Sequence, residues 1–209
     1  YSKGGLYKVY NGNLLFHASI PMNPDGTLKE VYLHDGYYKG RALLDKVDSL
    51  IRVACATDGD AALHDFAVDY LWYLWCGKNA PTFDKDRMAT FERYFLKDKA
   101  VMKETKGSYY TLRNEDATVD LLLEEFGVEG DHRHIINGHI PVKTIKGENP
   151  MKASGRLIVI DGGFSKPYQS TTGIAGYTLV YHSRGMSLVE HQPFTSTEEA
   201  IRGGADIKS

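Results

Sequence analysis

The apolar residues of this chain change their spacing twice, and that change limits the folds it can adopt. Between residues 43 and 54 they recur at helical spacing, and a second helix-like apolar run extends from about Ala61 to Trp75. On either side of the helical region, short apolar runs bounded by turn residues are typical of strands. This order predicts an α/β or α+β domain whose sheet is interrupted by a mainly helical insertion at about residues 38–127.

Local signals predict the individual elements. Strands are predicted at residues 6–10 and 14–19 around an Asn-Gly turn, and at 27–32, 134–137, 156–161, 177–183 and 186–191. Helices are predicted at about 38–54, 61–75, 84–96 and 118–126, with a short last helix started by the Ser196–Glu199 capping pattern. The Asp58-Gly59-Asp60 stretch is more typical of a helix start than of a metal-binding cluster.

Two of the predicted strands lead into a histidine and then a proline. The stretch NLLFHASIP carries His17, and the stretch RHIINGHIPVK carries His139. Open α/β sheets place their sites at strand ends, and imidazole is a common ligand for divalent transition metals. The two histidines are nevertheless far apart in sequence, so their spacing alone leaves a purely structural role open for each.

Composition narrows the class of protein. The chain has 209 residues, 42% of them hydrophobic and 25% charged, which suffices for one substantial core. A net charge of −2 argues against a nucleic-acid-binding surface, and no run of about 18 apolar residues predicts a membrane span. Cys55 and Cys76 are expected to be buried, reduced thiols of a cytosolic protein. Because the chain starts at Tyr1, we expect it to be a piece of a longer protein.

Basic residues supply candidates for binding an anion. Lys78 follows the second predicted helix, where it either holds a phosphate or lies in solvent at the helix end. A second group either forms a cationic rim or belongs to a solvated loop: Lys143, Lys146, Lys152, Arg156 and Lys166. The glycines of IDGGFSK allow close approach of the backbone to a ligand phosphate or to another strand.

A long block of the sequence resembles a known family. The stretch INGHIPVKTIKGENPMKASGRLIVIDGGFSKPYQSTTGIAGYTLVYHSRG resembles the C-terminal part of the class III, firmicute-type fructose-1,6-bisphosphatases. The stretches LLFHASIPM, LWCGKNAPTFDKDRMATFERYFL and HIINGHIPVK extend the resemblance over nearly all of the chain. It implies hydrolysis of fructose 1,6-bisphosphate to fructose 6-phosphate and phosphate, a reaction of gluconeogenesis.

These enzymes in turn resemble the calcineurin-like metallophosphoesterases, which hold two metal ions. In that superfamily two late histidines complete the metal centre, and the resemblance carries His17 of LLFHA and His139 of NGH onto them. The implied cofactor is a binuclear centre of Mn²⁺ or Mg²⁺. The DxH, GDxxDR and GNH[DE] motifs are absent and lie N-terminal in the family, so residues 1–209 are expected to form the C-terminal part of a metallophosphoesterase domain. No catalytic residue is assigned, and the chain alone is expected to be inactive.

The resemblance also implies an architecture and a substrate pocket. A four-layer αββα sandwich is expected, with the strands from both ends of the chain in one sheet and the helical insertion outside it. Asn137 and Gly138 would shape the turn before His139. Contacts to the substrate phosphates are predicted, without support from a motif, at four basic residues: Lys78, Arg93, Lys143 and Lys166.

Two other interpretations compete with this one. The chain could belong to another calcineurin-like phosphatase, such as a protein phosphatase, or it could be a non-catalytic module for assembly or regulation. Half of a sandwich would expose apolar surface, which predicts a homo-oligomer. Neither nucleic acid nor a membrane is expected as a partner, and a cytoplasmic location is expected.

Overall fold

The computed structural model describes residues 1–174, 176–192 and 194–203. The strands of these residues are β1 (Tyr7–Tyr10), β2 (Asn13–Phe16), β3 (Val31–Leu33), β4 (Gly36–Tyr38), β5 (His134–Asn137), β6 (Met151–Lys152), β7 (Leu157–Val159), β8 (Gly176–His182) and β9 (Gly185–His191). The α-helices are α1 (Gly40–Ala54), α2 (Ala61–Cys76), α3 (Thr90–Phe95), α4 (Tyr109–Leu112), α5 (Asp116–Glu125), α6 (Lys166–Thr172) and α7 (Thr197–Gly203). The fold is therefore mixed α/β, as the order of elements predicted.

A five-stranded mixed sheet forms the centre of the fold. Its strand order is β1-β2-β5-β7-β6. Strands β2, β5 and β7 are parallel, with Leu14 beside Ile135 and Ile135 beside Leu157. Strand β1 joins β2 through Asn11 and Gly12, which both have positive φ values, at 48° and 72°. Two such residues suit a tight hairpin, so the predicted Asn-Gly turn is confirmed.

The main core lies between this sheet and the last helices of the central region. Buried side chains of β2, β5 and β7 pack with Val119, Leu122 and Leu123 of α5. Tyr109 of α4 is fully buried in the same core. Thus α4 and α5 pack directly on the sheet, although the sequence predicted that the helical insertion would lie largely outside it.

A second core forms between α1 and α2. The residues at helical spacing, among them Leu43, Val47 and Leu50, face Ala67 and Leu74 across the helix pair. Helix α2 begins where predicted, because the Asp60 side chain accepts a hydrogen bond of 2.9 Å from the backbone N–H of Leu63. Each helix alone would leave its apolar face exposed, so the pair stabilises both.

The helix predicted at residues 84–96 is wrong over its first half. Only Thr90–Phe95 is helical, as α3. Residues 84–86 instead pair with residues 105–107: the N–H of Asp86 donates to Thr105 O at 2.9 Å, and Gly107 N donates to Asp84 O at 2.8 Å. Asp84 itself has a φ of 47°, outside the helical region. Pairing with a distant segment has overridden the local helical pattern, as tertiary contacts often do.

Strand predictions near the two ends of the chain also need correction. Residues 27–32 were predicted as one strand, but the strand starts only at Val31 and pairs with β4 as a separate hairpin. Strands β8 and β9 form their predicted hairpin, yet that hairpin is a sheet of its own. The edge beside β7 is occupied by β6, so the C-terminal hairpin does not extend the main sheet. Helix α6 was not predicted.

Two further expectations concern the burial of the cysteines and the presence of a membrane-spanning helix. Cys55 and Cys76 are free thiols, but both are half-buried rather than buried as predicted. Within residues 1–174, 176–192 and 194–203, none of the helices combines the length and the apolar character that crossing a membrane requires.

Candidate functional site

Three parallel strands deliver polar side chains to one edge of the main sheet. His17 directly follows β2, His139 lies two residues after β5, and Asp161 lies two residues after β7. Because β2, β5 and β7 are adjacent and parallel, these positions meet at their carboxyl ends. The structure thus brings together the two histidines that the sequence singled out.

Backbone hydrogen bonds hold the three strand ends in place. Gly138 N donates to His17 O at 2.9 Å, and Val142 N donates to Asp161 O at 2.7 Å. The turn after β5 is tight, since His139 has a φ of 68°, in the left-handed region that few non-glycine residues adopt. This conformation turns the chain at the histidine and fixes where its side chain starts.

The two imidazoles are in direct contact. His17 Nε2 lies 3.1 Å from His139 Nδ1, a hydrogen-bond distance in which one ring donates to the other. The rings meet edge to face with centroids 5.0 Å apart, and the Phe83 ring covers His139 at 6.3 Å. The pair is therefore ordered by the strand ends below and by an aromatic side chain beside it.

Burial keeps the His139 ring neutral. Desolvation is the main cause that lowers the pKa of His139 to about 4, and the nearby His17 and Lys85 act in the same direction. Asp161 and Glu104 oppose this shift and raise the pKa. A neutral imidazole has a free lone pair, which is the form that binds a metal ion.

This shift predicts a loss of stability in acid. An unfolded histidine takes up a proton below about pH 6.5, whereas folded His139 takes it up only near pH 4. Between these values the unfolded state binds more protons, so the free energy of unfolding falls as the pH is lowered from 6.5 to 4. Urea denaturation across this window measures the slope. The His139→Gln variant is expected to show a shallower slope, and an unchanged slope would contradict the shift.

The histidine pair fits part of a metal site. Two nitrogens that bind one ion at about 2.1 Å each lie roughly 3.0–3.4 Å apart in neighbouring coordination positions, which agrees with the observed separation. In the part of the chain that the structure describes, no group of three or more His, Cys, Asp or Glu side chains is placed to hold a metal ion. The described residues thus bring two nitrogen donors together, and a metal ion held by them would need further ligands.

Asn137 ties the strand end to its surroundings. Its side chain is buried, and its Nδ2 donates to the Tyr109 hydroxyl at 2.6 Å and to Ala18 O at 3.2 Å. Ala18 follows His17, so this one amide links helix α4, the end of β2 and the end of β5. These contacts fix the side chain at the end of β5, and the role of Asn137 in shaping the turn before His139 stays a prediction.

Removing this amide should destabilise the chain. The Asn137→Ala variant leaves two buried acceptors without a donor, and we expect a loss of about 2 kcal/mol or more in unfolding free energy. Asn114→Ala is the matched control, because Asn114 is exposed and donates only to Thr111 O, at 2.8 Å. Urea denaturation of both variants makes the comparison. Equal losses would show that the Asn137 contacts do not stabilise the strand ends.

An open cavity of about 1040 Å³ adjoins the histidine pair. His17, His139, Asp161 and Phe164 line it, together with parts of the N-terminal segment. None of the four basic residues predicted to contact substrate phosphates lies among the lining residues of this cavity. The cavity thus reaches the histidines, while the predicted cations lie elsewhere.

The four predicted cations occupy different surroundings. Lys78 is exposed in the loop after α2, and Lys166 is exposed at the start of α6. Arg93 of α3 lies 3.6 Å from a Glu104 oxygen, and Glu104 also pairs with Lys85 at 2.8 Å. Lys143 is half-buried four residues after His139. Arg93 is thus paired with Glu104, one of the groups that act on the pKa of His139, and Lys143 is close to His139 in sequence.

The sequence did not single out several residues near this site. Asp161 could have been found, because it ends an apolar run just as His17 does. Lys85 and Glu104 carry no comparable signal. They reach the site only because residues 84–86 pair with residues 105–107, in a region that the sequence predicts as helix.

The whole chain matches one family model, and curated relatives agree with it. The model of the firmicute fructose-1,6-bisphosphatases matches residues 1–209. The chain is 66% identical over 206 residues to the fructose-1,6-bisphosphatase class 3 of Phocaeicola vulgatus, which covers 99% of this chain and 31% of that protein. The corresponding protein of Bacteroides fragilis is 63% identical over 209 residues, 100% of this chain and 32% of the relative.

A more distant relative shows the same coverage. The fructose-1,6-bisphosphatase class 3 of Fusobacterium nucleatum is 53% identical over 209 residues, which is 32% of its length. No solved structure matches this chain. The chain spans about a third of the length of the curated relatives it matches.

Proposed function

Because this chain belongs to the firmicute fructose-1,6-bisphosphatase family, as its sequence predicted, we propose that it is the part of such an enzyme that contributes two histidine ligands to a metal centre. The full-length protein would hydrolyse fructose 1,6-bisphosphate to fructose 6-phosphate and phosphate. The observation that carries this proposal is the contact between His17 and His139, 3.1 Å apart at the carboxyl ends of two parallel strands.

The residues of this chain would supply and position some of the ligands of the metal centre, but not all of them. His17 and His139 would each present a ring nitrogen, and the buried amide of Asn137 would hold both strand ends in register. Two divalent ions, Mn²⁺ or Mg²⁺, when bound, supply the positive charge that stabilises the transferring phosphoryl group. The low pKa of His139 keeps its ring neutral at physiological pH, as ligation requires.

The proposal includes an architecture. The five-stranded sheet would be one of the two sheets of a four-layer αββα sandwich, and residues 1–209 would be the C-terminal part of that domain. Helices α1 and α2, which form a core of their own, suit a helical insertion between the two histidine strands. The remaining layers would come from the rest of the full-length chain.

We also propose a homo-oligomer in the cytoplasm. Large apolar side chains on α2 and α3 are exposed, among them Trp72 at 64%, Tyr94 at 78% and Phe95 at 81%. Such a surface favours packing against another copy or another part of the full-length protein. Light scattering of the full-length protein measures its mass, and a monomer at micromolar concentration would refute the oligomer.

The test is Mn²⁺-dependent release of phosphate from fructose 1,6-bisphosphate. The full-length protein is expected to release phosphate from this substrate, and residues 1–209 alone are expected to release none. A phosphopeptide assayed in parallel addresses the alternative of a protein phosphatase. Turnover of the phosphopeptide without turnover of the bisphosphate would overturn the proposed substrate.

A further inference from the structure

A group of cations lies around the Tyr110 ring, and none of them is among the residues that line the cavity beside the histidine pair. Lys106 Nζ lies 5.7 Å from the centroid of the Tyr110 ring, and Arg113 Cζ lies 5.4 Å from the same centroid. Tyr110 therefore has two cations over one aromatic ring. Lys143 adds a third positive charge near Lys106. We call Lys106, Arg113 and Lys143 the cation cluster.

Arg113 lacks partners that a buried guanidinium needs. Its side chain is buried, with 4% of the residue exposed, and neither Nε nor Nη1 has a hydrogen-bond acceptor among the described residues. Leaving charged donors unpaired in a protein interior is costly. An arginine held in this way is typical of a site that awaits an anion, since its planar donors match phosphate or carboxylate oxygens.

Two carboxylates near the cluster are already engaged, and a third, the buried Asp84 beside Tyr110, has an unpaired Oδ2 and a pKa that burial raises. Glu148 accepts from Lys143 N at 3.0 Å with one oxygen and from Lys152 Nζ at 3.2 Å with the other. Glu104 is bound to Lys85 at 2.8 Å. Within the described residues, the salt bridges include none to the side chains of Lys106, Arg113 or Lys143. The cluster thus keeps an excess of positive charge.

The pKa of Lys106 also indicates that other positive charges surround it. The pKa of Lys106 is lowered by burial first, and then by the neighbouring charges of Arg113, Lys143 and Lys85, while Glu148 acts in the opposite direction. Three cations that repel one another would be stabilised by a bound dianion more than a single surface lysine would be. Phosphate meets that requirement.

The cluster lies within reach of the histidine pair. Lys143 is four residues from His139, so their Cα atoms are at most about 14 Å apart. Lys85 forms a backbone bridge with Lys106, and its Nζ lies 5.2 Å from the centroid of the Phe83 ring that covers His139. A small molecule with anionic groups at both ends could therefore touch both places.

We propose that Lys106, Arg113 and Lys143 form a phosphate-binding subsite that holds the second phosphate of a sugar bisphosphate while the first lies at the histidine pair. This inference rests on the proposed function for the identity of the substrate. The contacts with substrate phosphate that were predicted at Lys78 and Lys166 are here assigned to Lys106 and Arg113, because the first two lie outside the cluster. The contact predicted at Lys143 is kept.

Binding without metal separates this subsite from the metal centre. The probe is fructose 6-phosphate, titrated calorimetrically into the full-length protein in EDTA, where the metal centre cannot contribute. Lys106→Gln and Lys143→Gln are each expected to weaken binding by about tenfold or more, as the loss of a charged hydrogen bond does. Lys106→Arg is expected to restore most of the affinity. Lys97→Gln is the matched control, an exposed lysine after α3 that should bind like the parent.

A kinetic comparison gives the second readout. With Mn²⁺ present, Lys106→Gln is expected to reduce the preference for fructose 1,6-bisphosphate over p-nitrophenyl phosphate by at least tenfold, because the latter has no second phosphate. No binding of fructose 6-phosphate by the parent, or equal affinity in the parent and both glutamine variants, would overturn the subsite and would indicate that another part of the protein neutralises the cluster.

The two proposals can fail separately. Bisphosphate turnover by the full-length protein, with fructose 6-phosphate affinity unchanged in both variants, refutes the subsite and leaves the proposed function standing. Absence of bisphosphate turnover, with affinity lost in both variants but not in Lys97→Gln, refutes the proposed function and supports a phosphate site at the cation cluster.

Discussion

Replacing His139 with alanine in the full-length protein should lower kcat/KM for fructose 1,6-bisphosphate by roughly 10³-fold, an effect at the upper end of what loss of one electrostatic contributor causes. His139 is held by a left-handed turn, and the imidazole in contact with it, His17, is itself proposed as a ligand and so cannot take its place. The measurement is phosphate release with Mn²⁺ in excess.

His182→Ala is the control for this variant. His182 is an exposed histidine at the tip of the hairpin formed by β8 and β9, where its Nδ1 accepts from Arg184 N at 3.1 Å and its Nε2 lies 3.5 Å from Ser187 Oγ. Its replacement should leave kcat/KM within about twofold, as expected for a surface substitution away from the site. If His139→Ala retained the parent rate, the histidine pair would have no part in the reaction.

The largest effect on stability is expected at Gly162, which follows Asp161 at the end of β7. A Cβ atom at this position would meet the backbone of Gly176, with its N atom at 2.9 Å, and the Ile174 side chain at 2.8 Å. Backbone atoms cannot rotate away, so Gly162→Ala must push the start of β8 away from the segment that follows β7. We expect a loss of about 3 kcal/mol or more in the free energy of unfolding, measured with urea.

Gly4→Ala provides the comparison for that loss. A Cβ atom at Gly4 would meet nothing within 4 Å, so its stability should change by less than about 0.5 kcal/mol. A loss below about 1 kcal/mol for Gly162→Ala would mean that the two segments do not pack as closely as described. The IDGGFSK glycines are thus explained by close approach of another part of the chain, one of the two alternatives that the sequence left open.

Elements with a strong local signal were predictable from the sequence. The Asn11-Gly12 hairpin and the Asp60 helix start depend on residues within one turn, and both form as expected. The apolar spacing between residues 43 and 54 likewise predicts α1, because one helix face alone meets α2. In each case the physical cause lies in the segment itself.

Elements that depend on distant partners were not predictable. Residues 84–89 carry a helical pattern, yet backbone pairing of residues 84–86 with residues 105–107 keeps them out of a helix. The C-terminal hairpin has a clear strand signal, but no local feature says which sheet it joins. Strand β6, only two residues long, decides that by closing the edge of the main sheet.

The residues of the candidate site were likewise predictable only where their signal is local. His17 and His139 could be singled out because each ends an apolar strand, and Asp161 carries the same signal. Lys106 and Arg113 could not, because their proximity to Lys143 arises only when the segment after α3 folds back along residues 84–86. Lys78 and Lys166 were predicted from charge alone; the fold leaves both exposed, and their contact with substrate stays a prediction.

Pulsed EPR of Mn²⁺ bound to the full-length protein tests the central claim most directly, because it detects nitrogen atoms that are bound to the metal ion. The account predicts coupling to imidazole nitrogens in the parent, and a loss of part of that coupling in both His17→Ala and His139→Ala. Identical nitrogen couplings in the parent and both variants would contradict it, since the pair at the sheet edge would then not hold the metal.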